Sequence, residues 1–382
     1  MKVLYISTAD YRYGAAKTLI DMMLELKNVY HVEPVVLTKK HNKLNDLCDE
    51  LMIENYSYWY RDIMAGSAYS NPIFNILKHI IKYSLFLAGG FTQFGITKCG
   101  IDMSTIDIIH TNHIRIDIGV YLSKKYKKPH IWHIKELNKG HVKIWHYKWR
   151  CYDYINKNAD VFVAVTNQVK QYWQDAGISK NKIQVIYEGI DCNKFRKHIQ
   201  RDDNKLRIVC VGRIEKSKGQ MQILQALTKI PEDIRCNITL DLIGEAYPDY
   251  LKQLKKYIEN HSLKDTVVFH GYCDDISNEL CKYDVGILAS KGDAFGTVTA
   301  EYMAAGLVPI ATYTELVDHM VEGLRYEFAD IEKLAQNILF LYENGEKRKE
   351  FSEKALIKVE TEYSIEKNAE KIYELYNKLN NK

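Results

Sequence analysis

The sequence has little proline and no paired cysteines. Only 6 of its 382 residues are proline, and its 8 cysteines are scattered without a single CxxC pair. This pattern excludes a disulfide-stapled secreted domain, argues against a zinc site and fits a reducing compartment. So few prolines, among 20 glycines, also exclude a linker-rich or low-complexity chain.

Long apolar runs are missing as well. No stretch reaches the ~18 consecutive apolar residues of a membrane span. The opening residues, MKVLYIS, are typical of a β-strand and not of a signal peptide. Hydrophobic residues make up 46% of the chain and charged residues 27%, the balance of a globular protein. We therefore expect a cytoplasmic protein, with two or three domains at roughly 150 residues per domain.

Charge is divided unevenly along the chain. Residues 1–200 contain 28 Lys and Arg against 18 Asp and Glu, whereas residues 201–382 contain 25 against 31. A basic first half suits an anionic membrane surface or a phosphorylated acceptor, or it is a lysine-rich face exposed to water. No nucleic-acid-binding module accompanies these cations, so we expect no nucleic-acid partner.

Short apolar runs rich in β-branched residues alternate with helical periodicity along the whole chain. The predicted strands are residues 3–7, 35–38, 106–110, 129–134 and 161–166, and then 206–212, 239–243, 267–270, 285–289 and 308–312. Continuous apolar strands separated by helices predict parallel sheets covered on both faces. The polar stretch 197–206 separates two such series. We therefore predict two doubly wound α/β domains, residues 1–197 and 203–362, facing across a cleft.

The dinucleotide fingerprint is absent. The loop after the first strand, STADYRYGAAK, contains one glycine, Gly14, and no GxGxxG. The second strand, VVLTKK, ends without the acidic residue that would hold a ribose. An NAD-dependent enzyme is therefore disfavoured. Doubly wound sheets still bind ligands at the carboxyl ends of their strands, so we expect the substrate site there.

Three segments of the second half indicate a ligand that carries phosphates and sugars. VGRIEKSKG places Arg213 and Lys218 after a strand, and an arginine fork with a mobile lysine suits phosphate oxygens. In SKGDAFGTVTAEYMAAG, Gly296 and Thr297 open a helix whose amide dipoles favour an anion. Gly244, in LIGE, ends a strand where a side chain would block a ligand, unless it is an ordinary turn glycine.

Two carboxylates flank the start of that helix. Asp293 lies in the loop before it, and Glu301 lies about one turn inside it. A carboxylate accepts two hydrogen bonds, which suits the vicinal hydroxyls of a ribose or hexose. Alternatively, Glu301 is a surface helix residue and Asp293 interacts with the helix dipole.

These motifs resemble those of the retaining glycosyltransferases of family 4, the glycosyl transferases group 1, which have the GT-B fold of two Rossmann-like domains. GRIEKSKG is similar to that family's R-x4-K phosphate grip. DAFGTVTAEYMAAG resembles its E-x7-E signature, with Asp293 in place of the first glutamate. FHGYCDDISNELCKYDVGILAS resembles the segment that leads to the nucleotide-base site. The resemblance covers nearly the full length and is strongest over residues 159–310.

The resemblance implies a role for each motif residue. Arg213 and Lys218 would bind the diphosphate, Glu301 the ribose, and Asp293 the hydroxyls of the donor sugar, as a catalytic residue. It implies further donor contacts at Gly14, Tyr272, Phe295, Gly296, Thr297 and Val298. It also implies transfer with retention from a nucleotide-diphosphate-sugar as co-substrate, without a metal or other cofactor. Residues 363–382 would cross back to the first domain.

The chain departs from the family pattern at several positions. Lys135 aligns with a histidine that the family has near the transferred sugar, and His133 lies two residues earlier on the same face of the strand. Either side chain could enter the cleft, so both are candidate catalytic residues. Glu188 stands where asparagine is usual, and the loop after VPIAT is shortened to YTELVD. His110 and His113, in HTNH, lack the glutamate of a zincin, so we expect no metal site.

Residues 73–88, IFNILKHIIKYSLFLA, predict a helix with Asn75, Lys78, His79 and Lys82 on one stripe. Basic aromatic segments accompany it at residues 124–128 and 141–150. A basic amphipathic helix can lie on an anionic inner leaflet. Alternatively, the helix packs on its own sheet and exposes a basic face to water.

Taken together, the sequence predicts a hexosyltransferase-type enzyme that moves a sugar from a nucleotide-diphosphate-sugar to an acceptor hydroxyl. The acceptor would be a glycan or a lipid-linked molecule, in surface polysaccharide or glycolipid assembly, with the protein peripheral at the inner face of the membrane. The alternative is a non-catalytic GT-B-fold protein that binds nucleotide-sugars or acts as a scaffold. The shortened loop and Asp293 motivate that alternative.

Overall fold

The computed structural model describes residues 1–8, 14–66, 72–137, 144–195, 197, 203–312 and 314–381. The chain divides into two compact units, and each is described by itself. The N-terminal unit is Met1–Gly189 together with Ile365–Lys382, and the C-terminal unit is Ile190–Ser364. The division after Gly189 comes earlier than the polar stretch 197–206, of which residues 198–202 lie outside the described residues.

A seven-stranded parallel sheet is the centre of the N-terminal unit as far as it is described. The strands of this unit are β1 (Lys2–Ser7), β2 (Glu33–Thr38), β3 (Glu54–Ser57), β4 (Met64–Gly66), β5 (Ile108–Thr111), β6 (His130–Ile134), β7 (Ile144–His146), β8 (Val161–Ala164) and β9 (Ile183–Val185). The order across the sheet is β3-β2-β1-β5-β6-β8-β9, while β4 and β7 form a separate antiparallel pair. Strands β5 and β6 are buried throughout, as expected for a sheet covered on both faces.

Helices connect these strands. They are α1 (Gly14–Tyr30), α2 (Lys43–Glu50), α3 (Pro72–Thr92), α4 (Ile118–Tyr126), α5 (Cys151–Asn158) and α6 (Asn167–Asp175), with a 3-10 segment at Gln93–Cys99. Helix α1 packs the apolar side chains of Leu19, Met23 and Leu26 into the core beneath β1 and β2. The spacing of these residues, four and then three positions, places them on one face of a helix.

The C-terminal unit is built on a second parallel sheet. Its strands are β10 (Leu206–Val211), β11 (Ile238–Ile243), β12 (Val267–Gly271), β13 (Val285–Leu288), β14 (Val308–Ala311) and β15 (Leu324–Arg325), in the order β12-β11-β10-β13-β14-β15. Its helices are α7 (Gln220–Leu227), α8 (Glu232–Arg235), α9 (Pro248–Asn260), α10 (Ile276–Glu279), α11 (Thr297–Ala304), α12 (Ile331–Glu343) and α13 (Gly345–Glu362). Short 3-10 segments lie at Cys192–Lys194, Lys216–Lys218 and Leu280–Lys282. The predicted α/β class with two doubly wound parallel sheets is confirmed.

The helix α14 (Ile365–Asn380) belongs to the N-terminal unit although it follows the C-terminal unit in the chain. Its Ile372 and Tyr376 are buried in the core that α1 and β1 also form. Tyr373 stacks on Tyr30 of α1, with ring centroids 4.3 Å apart. The N-terminal unit is therefore closed by a segment from the far end of the chain.

The basic stripe of helix α3 does not face water. The stripe with Lys78, His79 and Lys82 faces the body of the unit, and His79 is only 4% exposed. Most of the large apolar residues of the helix face outward instead, whereas Phe86 is buried. The prediction of a wet basic face is therefore wrong. The reason is that His79 has polar and aromatic partners inside, where its Nδ1 lies 2.7 Å from the hydroxyl of Tyr147.

Tyr302 fixes helix α11 against two strands of the C-terminal sheet. Its buried hydroxyl accepts a hydrogen bond from the backbone amide of Val211, at the carboxyl end of β10, over 2.8 Å. Gly286 in β13 leaves room for the ring, because a Cβ at that position would lie 2.2 Å from it. The first turn of α11 is thereby held beside the carboxyl ends of β10 and β13.

Replacing Gly286 by alanine should destabilise the C-terminal unit by about 1–3 kcal/mol, because the added methyl group overlaps the Tyr302 ring in a packed core. Gly345→Ala is the matched control, since the nearest atom to its added Cβ is a flexible Arg348 nitrogen at 3.7 Å. Calorimetric unfolding of both variants tests this. Equal transitions in G286A and G345A would contradict the packing role of Gly286.

Candidate donor site and its N-terminal counterpart

In each parallel sheet the winding of the chain reverses beside the first strand, at β10 and β13 in the C-terminal unit. The chain runs outward from β10 to β11 and β12 before it returns to β13 on the other side. Ligands of doubly wound sheets bind outside the carboxyl ends of such strands. Arg213 and Lys218 follow β10, and Asp293 and Gly296 follow β13. The sequence motifs therefore meet at the position that the topology favours.

Lys218 and Asp293 are in direct contact. The Lys218 Nζ lies 2.9 Å from Asp293 Oδ1, and each side chain is about a quarter exposed. The loops that carry them are also joined through their backbones, since the amide of Lys291 donates to the carbonyl of Ser217 over 3.1 Å. Gly219, at φ 72°, makes this approach possible, because a Cβ there would lie 2.1 Å from the Ala289 carbonyl oxygen.

Arg213 is held by polar neighbours on its own side of the site. Its Nη2 lies 3.1 Å from Glu215 Oε1, and its Nη1 lies 3.4 Å from the hydroxyl of Tyr247. Gln220 Nε2 donates to the Arg213 carbonyl over 2.9 Å. The guanidinium is 39% exposed, so it keeps access to solvent.

The start of α11 provides backbone donors. Gly296 caps the helix in the left-handed region at φ 83°, and its carbonyl accepts the amides of Thr299 and Ala300. The first turn of a helix leaves amides without intrahelical acceptors and carries the positive end of the dipole. Phe295 is buried and its carbonyl accepts a hydrogen bond from Thr314 Oγ1 over 3.2 Å, which fixes the approach to the helix.

Four other predicted donor residues lie on the same unit. Thr297 and Val298 form the first turn of α11, and Glu301 lies one turn further along it, partly buried. Tyr272 follows β12 and is 46% exposed. These four positions belong to the loops and helix starts at the carboxyl ends of the strands.

The packing of the chain explains why residue 244 is a glycine. It follows β11 with φ 152°, and a Cβ there would lie 2.0 Å from the carbonyl oxygen of Gly212. Glycine is therefore required where the loops after β10 and β11 approach each other. This accounts for Gly244 through chain packing, without a ligand.

Three buried polar atoms near these loops find no hydrogen-bond partner among the described residues. They are Gln220 Oε1, Ser290 Oγ and Thr299 Oγ1. Gln220 opens α7 behind Arg213, Ser290 lies just beyond β13, and Thr299 lies in the first turn of α11. Buried polar groups are normally satisfied, so this edge of the sheet has hydrogen-bonding capacity that the protein itself does not use.

Lys135 and Glu188, two residues of the N-terminal unit that depart from the family pattern, form one ion pair. The Lys135 Nζ lies 2.8 Å from Glu188 Oε1 and 3.1 Å from Thr18 Oγ1. Both charged side chains are more than 90% buried. Sequence reasoning noted each departure separately and missed the pairing, although the opposite charges at the two positions were a usable signal.

His133 lies in a buried network of aromatic and imidazole groups. Its Nδ1 is 3.1 Å from His110 Nε2, and His110 Nδ1 is 2.6 Å from the hydroxyl of Tyr376 in α14. That hydroxyl also bonds to the hydroxyl of Tyr5. Burial, reinforced by the Lys135 cation, lowers the pKa of His110 to about 3 and the pKa of His133 well below its usual value. Both imidazoles are therefore neutral near pH 7.

Gly14 is the first residue of α1. The five residues before it, 9–13, lie outside the described part of the chain. His113 Nε2 lies 2.7 Å from Glu136 Oε1. The described residues contain no group of three or more His, Cys, Asp or Glu side chains arranged to hold a metal ion.

Two family models match the chain. The model described as "Glycosyl transferases group 1" matches residues 191–357, and "Glycosyltransferase Family 4" matches residues 69–194. Together the two ranges span residues 69–357, which lie in both units and include the predicted site residues from His133 to Glu301. The chain belongs to the glycosyltransferase superfamily that these two models describe.

Proteins similar to this chain come from archaea and bacteria. An uncharacterised glycosyltransferase of Methanocaldococcus jannaschii is 27% identical over 59% of this chain and 60% of its own length. A 41.2 kDa protein encoded in the cps region of Klebsiella pneumoniae is 27% identical over 60% of this chain and 66% of its own. This chain thus spans less than two thirds of each. The O-antigen biosynthesis glycosyltransferase WclY of Escherichia coli is 22% identical over 99% of both chains.

Similarity to solved structures establishes the fold of this chain. Anabaena HepE in complex with UDP matches with a TM-score of 0.80 at 20% identity, over 99% of this chain and 100% of that one. A glycosyltransferase from Rickettsia africae matches with a TM-score of 0.77 at 22% identity, over 99% and 98% of the two chains. The resemblance to the GT-B fold is therefore confirmed.

The buried histidines predict a pH-dependent stability of the N-terminal unit. A depressed pKa in the folded state means that the unfolded chain binds more protons below about pH 6.5, so stability falls as the pH is lowered from 6.5 towards 4. Each buried histidine contributes a slope of at most about 1.4 kcal/mol per pH unit. Urea denaturation at several pH values should show that the free energy of unfolding depends less on pH in His110→Asn than in the wild type. An unchanged slope would contradict the neutral, buried state of His110.

Proposed function

We propose that this chain transfers a sugar from a nucleotide-diphosphate-sugar to an acceptor hydroxyl. The observation that carries the proposal is the junction of Lys218 and Asp293 beside the start of α11. It joins a phosphate-binding cation, a carboxylate suited to sugar hydroxyls and a helix N-terminus at the carboxyl ends of β10 and β13. Family membership supports the same activity.

We assign the donor contacts within the C-terminal unit. Arg213, Lys218 and the amides of the first turn of α11 bind the diphosphate, whose negative charge they neutralise. To reach phosphate, Lys218 gives up part of its contact with Asp293, which frees the carboxylate for the hydroxyls of the donor sugar. Glu301 accepts from the ribose hydroxyls, and Tyr272 lies beside the base. The UDP complex of the Anabaena relative supports a nucleotide donor.

The proposed reaction is retaining and hexosyltransferase-type. The acceptor oxygen forms the new bond to the anomeric carbon on the face that the nucleoside diphosphate leaves, while the bond from that carbon to the β-phosphate oxygen breaks. The acceptor proton passes to a β-phosphate oxygen. The protein accelerates this step by positioning both substrates and by stabilising the departing diphosphate, without a metal.

The N-terminal unit contributes Gly14, His133 and Lys135 to the proposal. Gly14 starts α1 and lets backbone amides approach an anionic substrate. Lys135 is a fixed positive charge, held in place by Glu188 and Thr18. His133 is neutral and bonded to His110, so it acts by positioning this edge of β6, and Lys135 is the better candidate for substrate contact.

We further propose that the acceptor is a glycan or lipid-linked molecule and that the protein works peripherally at the inner face of a membrane. The O-antigen relative and the cps-region relative support surface polysaccharide assembly. The surplus of ten positive charges in residues 1–200 supports an anionic partner surface. No helix in the described part of the chain combines the length and apolarity needed to cross a bilayer.

A first experiment identifies the donor. UDP-, GDP- and ADP-sugars are screened by thermal shift, and a bound donor raises stability by about 2.7 kcal/mol at a hundredfold excess over its dissociation constant. The matching nucleotide-sugar is then incubated with candidate acceptors while free nucleoside diphosphate and glycosylated product are measured. Donor binding without any product would favour the alternative of a non-catalytic nucleotide-sugar-binding protein.

Arg213→Ala and Glu301→Ala should each lower kcat/KM for transfer by about 10- to 100-fold, because each removes a charged hydrogen bond to the donor. Lys229→Ala is the control, since Lys229 is a half-exposed cation of the same unit paired with Glu332. Steady-state kinetics with circular dichroism as a folding check measures the effect. Full activity in both site variants would refute the site assignment.

A further inference from the structure

Helix α3 presents a wide apolar face to solvent. At 100° per residue, its exposed large side chains fall on one arc of roughly 200°. Each is between 49% and 80% exposed: Ile73, Phe74, Ile76, Leu77, Ile80, Ile81, Leu85, Leu87 and Phe91. The structure describes residues 73–91 throughout, and no charged residue of this stretch lies on that arc. We call these nine residues the α3 outer face. A contiguous apolar patch of this length is typical of an interaction surface.

The orientation of α3 is fixed by contacts on its opposite side. His79 stacks on Trp145 with ring centroids 4.4 Å apart, and the Arg61 guanidinium lies 4.5 Å above the Phe86 ring. A Cβ at Gly89 would lie 2.5 Å from the Arg61 Cβ, so the glycine lets the helix sit directly on that side chain. Arg61 in turn pairs with the buried carboxylate of Asp117 over 2.8 Å. Turning the helix to hide its apolar face would break these contacts.

Cations and aromatic side chains border the α3 outer face. Phe94, just beyond the helix, packs edge-on against Tyr121 at 5.6 Å, and Lys125 Nζ lies 5.7 Å from the Tyr121 ring centre. Tyr83 of α3 lines a cavity of about 530 Å³ with Lys148, Trp149 and Arg150, among others. Trp149 is 87% exposed, and Arg150 pairs with Asp153.

The charge of this region distinguishes between possible occupants. Residues 61–150 contain 14 Lys and Arg against 5 Asp and Glu. An apolar helix face bordered by cations and exposed aromatic residues matches the interface of an anionic bilayer, with acyl chains below and phosphate head groups beside it. A second copy of the chain would bring the same surplus of positive charge against itself, which disfavours self-association through this face.

We propose that the α3 outer face inserts into the interfacial layer of an anionic lipid bilayer, with Lys125, Lys148 and Trp149 at the head-group level. Helix α3 lies in the plane of the surface and presents about 30 Å of apolar length to the lipid. The inference deepens the membrane location in the proposed function and does not depend on sugar transfer.

Vesicle flotation of the full chain tests the insertion. The probes are vesicles of phosphatidylcholine alone and of phosphatidylcholine mixed with phosphatidylglycerol. The wild type should float with the anionic vesicles, and Leu77→Glu and Ile80→Glu should each weaken binding about tenfold or more. Ile357→Glu is the matched control, because Ile357 is 61% exposed, like Ile80 at 58%, but lies on α13 of the other unit. Its binding should equal that of the wild type.

Two results would overturn the inference. One is a wild type that does not float, or variants L77E and I80E that float as well as I357E does. The other is a lipid-free dimer, seen by sedimentation velocity, that Ile80→Glu dissociates, because this would assign the face to a second copy. Thermal shift with nucleotide-sugars on the same proteins separates this inference from the proposed function. A chain that floats but binds no donor refutes the donor assignment alone.

Discussion

A single hydrogen bond between a strand and a helix organises the C-terminal unit. The amide of Val211 donates to the hydroxyl of Tyr302, and Gly286 gives the ring its place against β13. This seats the first turn of α11 beside the carboxyl ends of β10 and β13. The contact of Lys218 with Asp293, 75 positions apart in the sequence, lies at the same ends of these two strands. The packing of Tyr302 therefore helps to bring Lys218 and Asp293 together, although neither residue contributes to that packing.

The sequence predicts the fold class well, because buried parallel strands appear as continuous apolar runs such as Leu206–Val211. It also predicts each donor motif separately, but not how the motifs contact each other. It does not predict that Lys218 meets Asp293, because the contact depends on β13 returning to the side of β10, and local sequence does not encode that strand order. The sequence does not predict the orientation of α3 for a related reason. Helical periodicity defines an apolar arc, but only the partners of His79 and Phe86 decide which arc packs inward.

The N-terminal unit shows how two departures from a family pattern compensate each other. A buried lysine or a buried glutamate alone would carry a large desolvation cost, whereas Lys135 and Glu188 at 2.8 Å neutralise each other and share Thr18 as a hydrogen-bond partner. Removing one partner leaves an uncompensated buried charge, so a change at either position alone is expected to destabilise this unit. The two residues therefore form one structural element of the N-terminal unit.

The docking of α14 on α1 and β1 has a consequence for how the protein is made. A ribosome synthesises residues 190–364 before it reaches Ile365, so the N-terminal half emerges before α14 can cover part of its core. His110 and Tyr5 gain the hydroxyl of Tyr376 only after the other half has been synthesised. The first half of the chain to be translated is therefore the last to complete its fold, and during synthesis its exposed apolar surface is a natural substrate for chaperones.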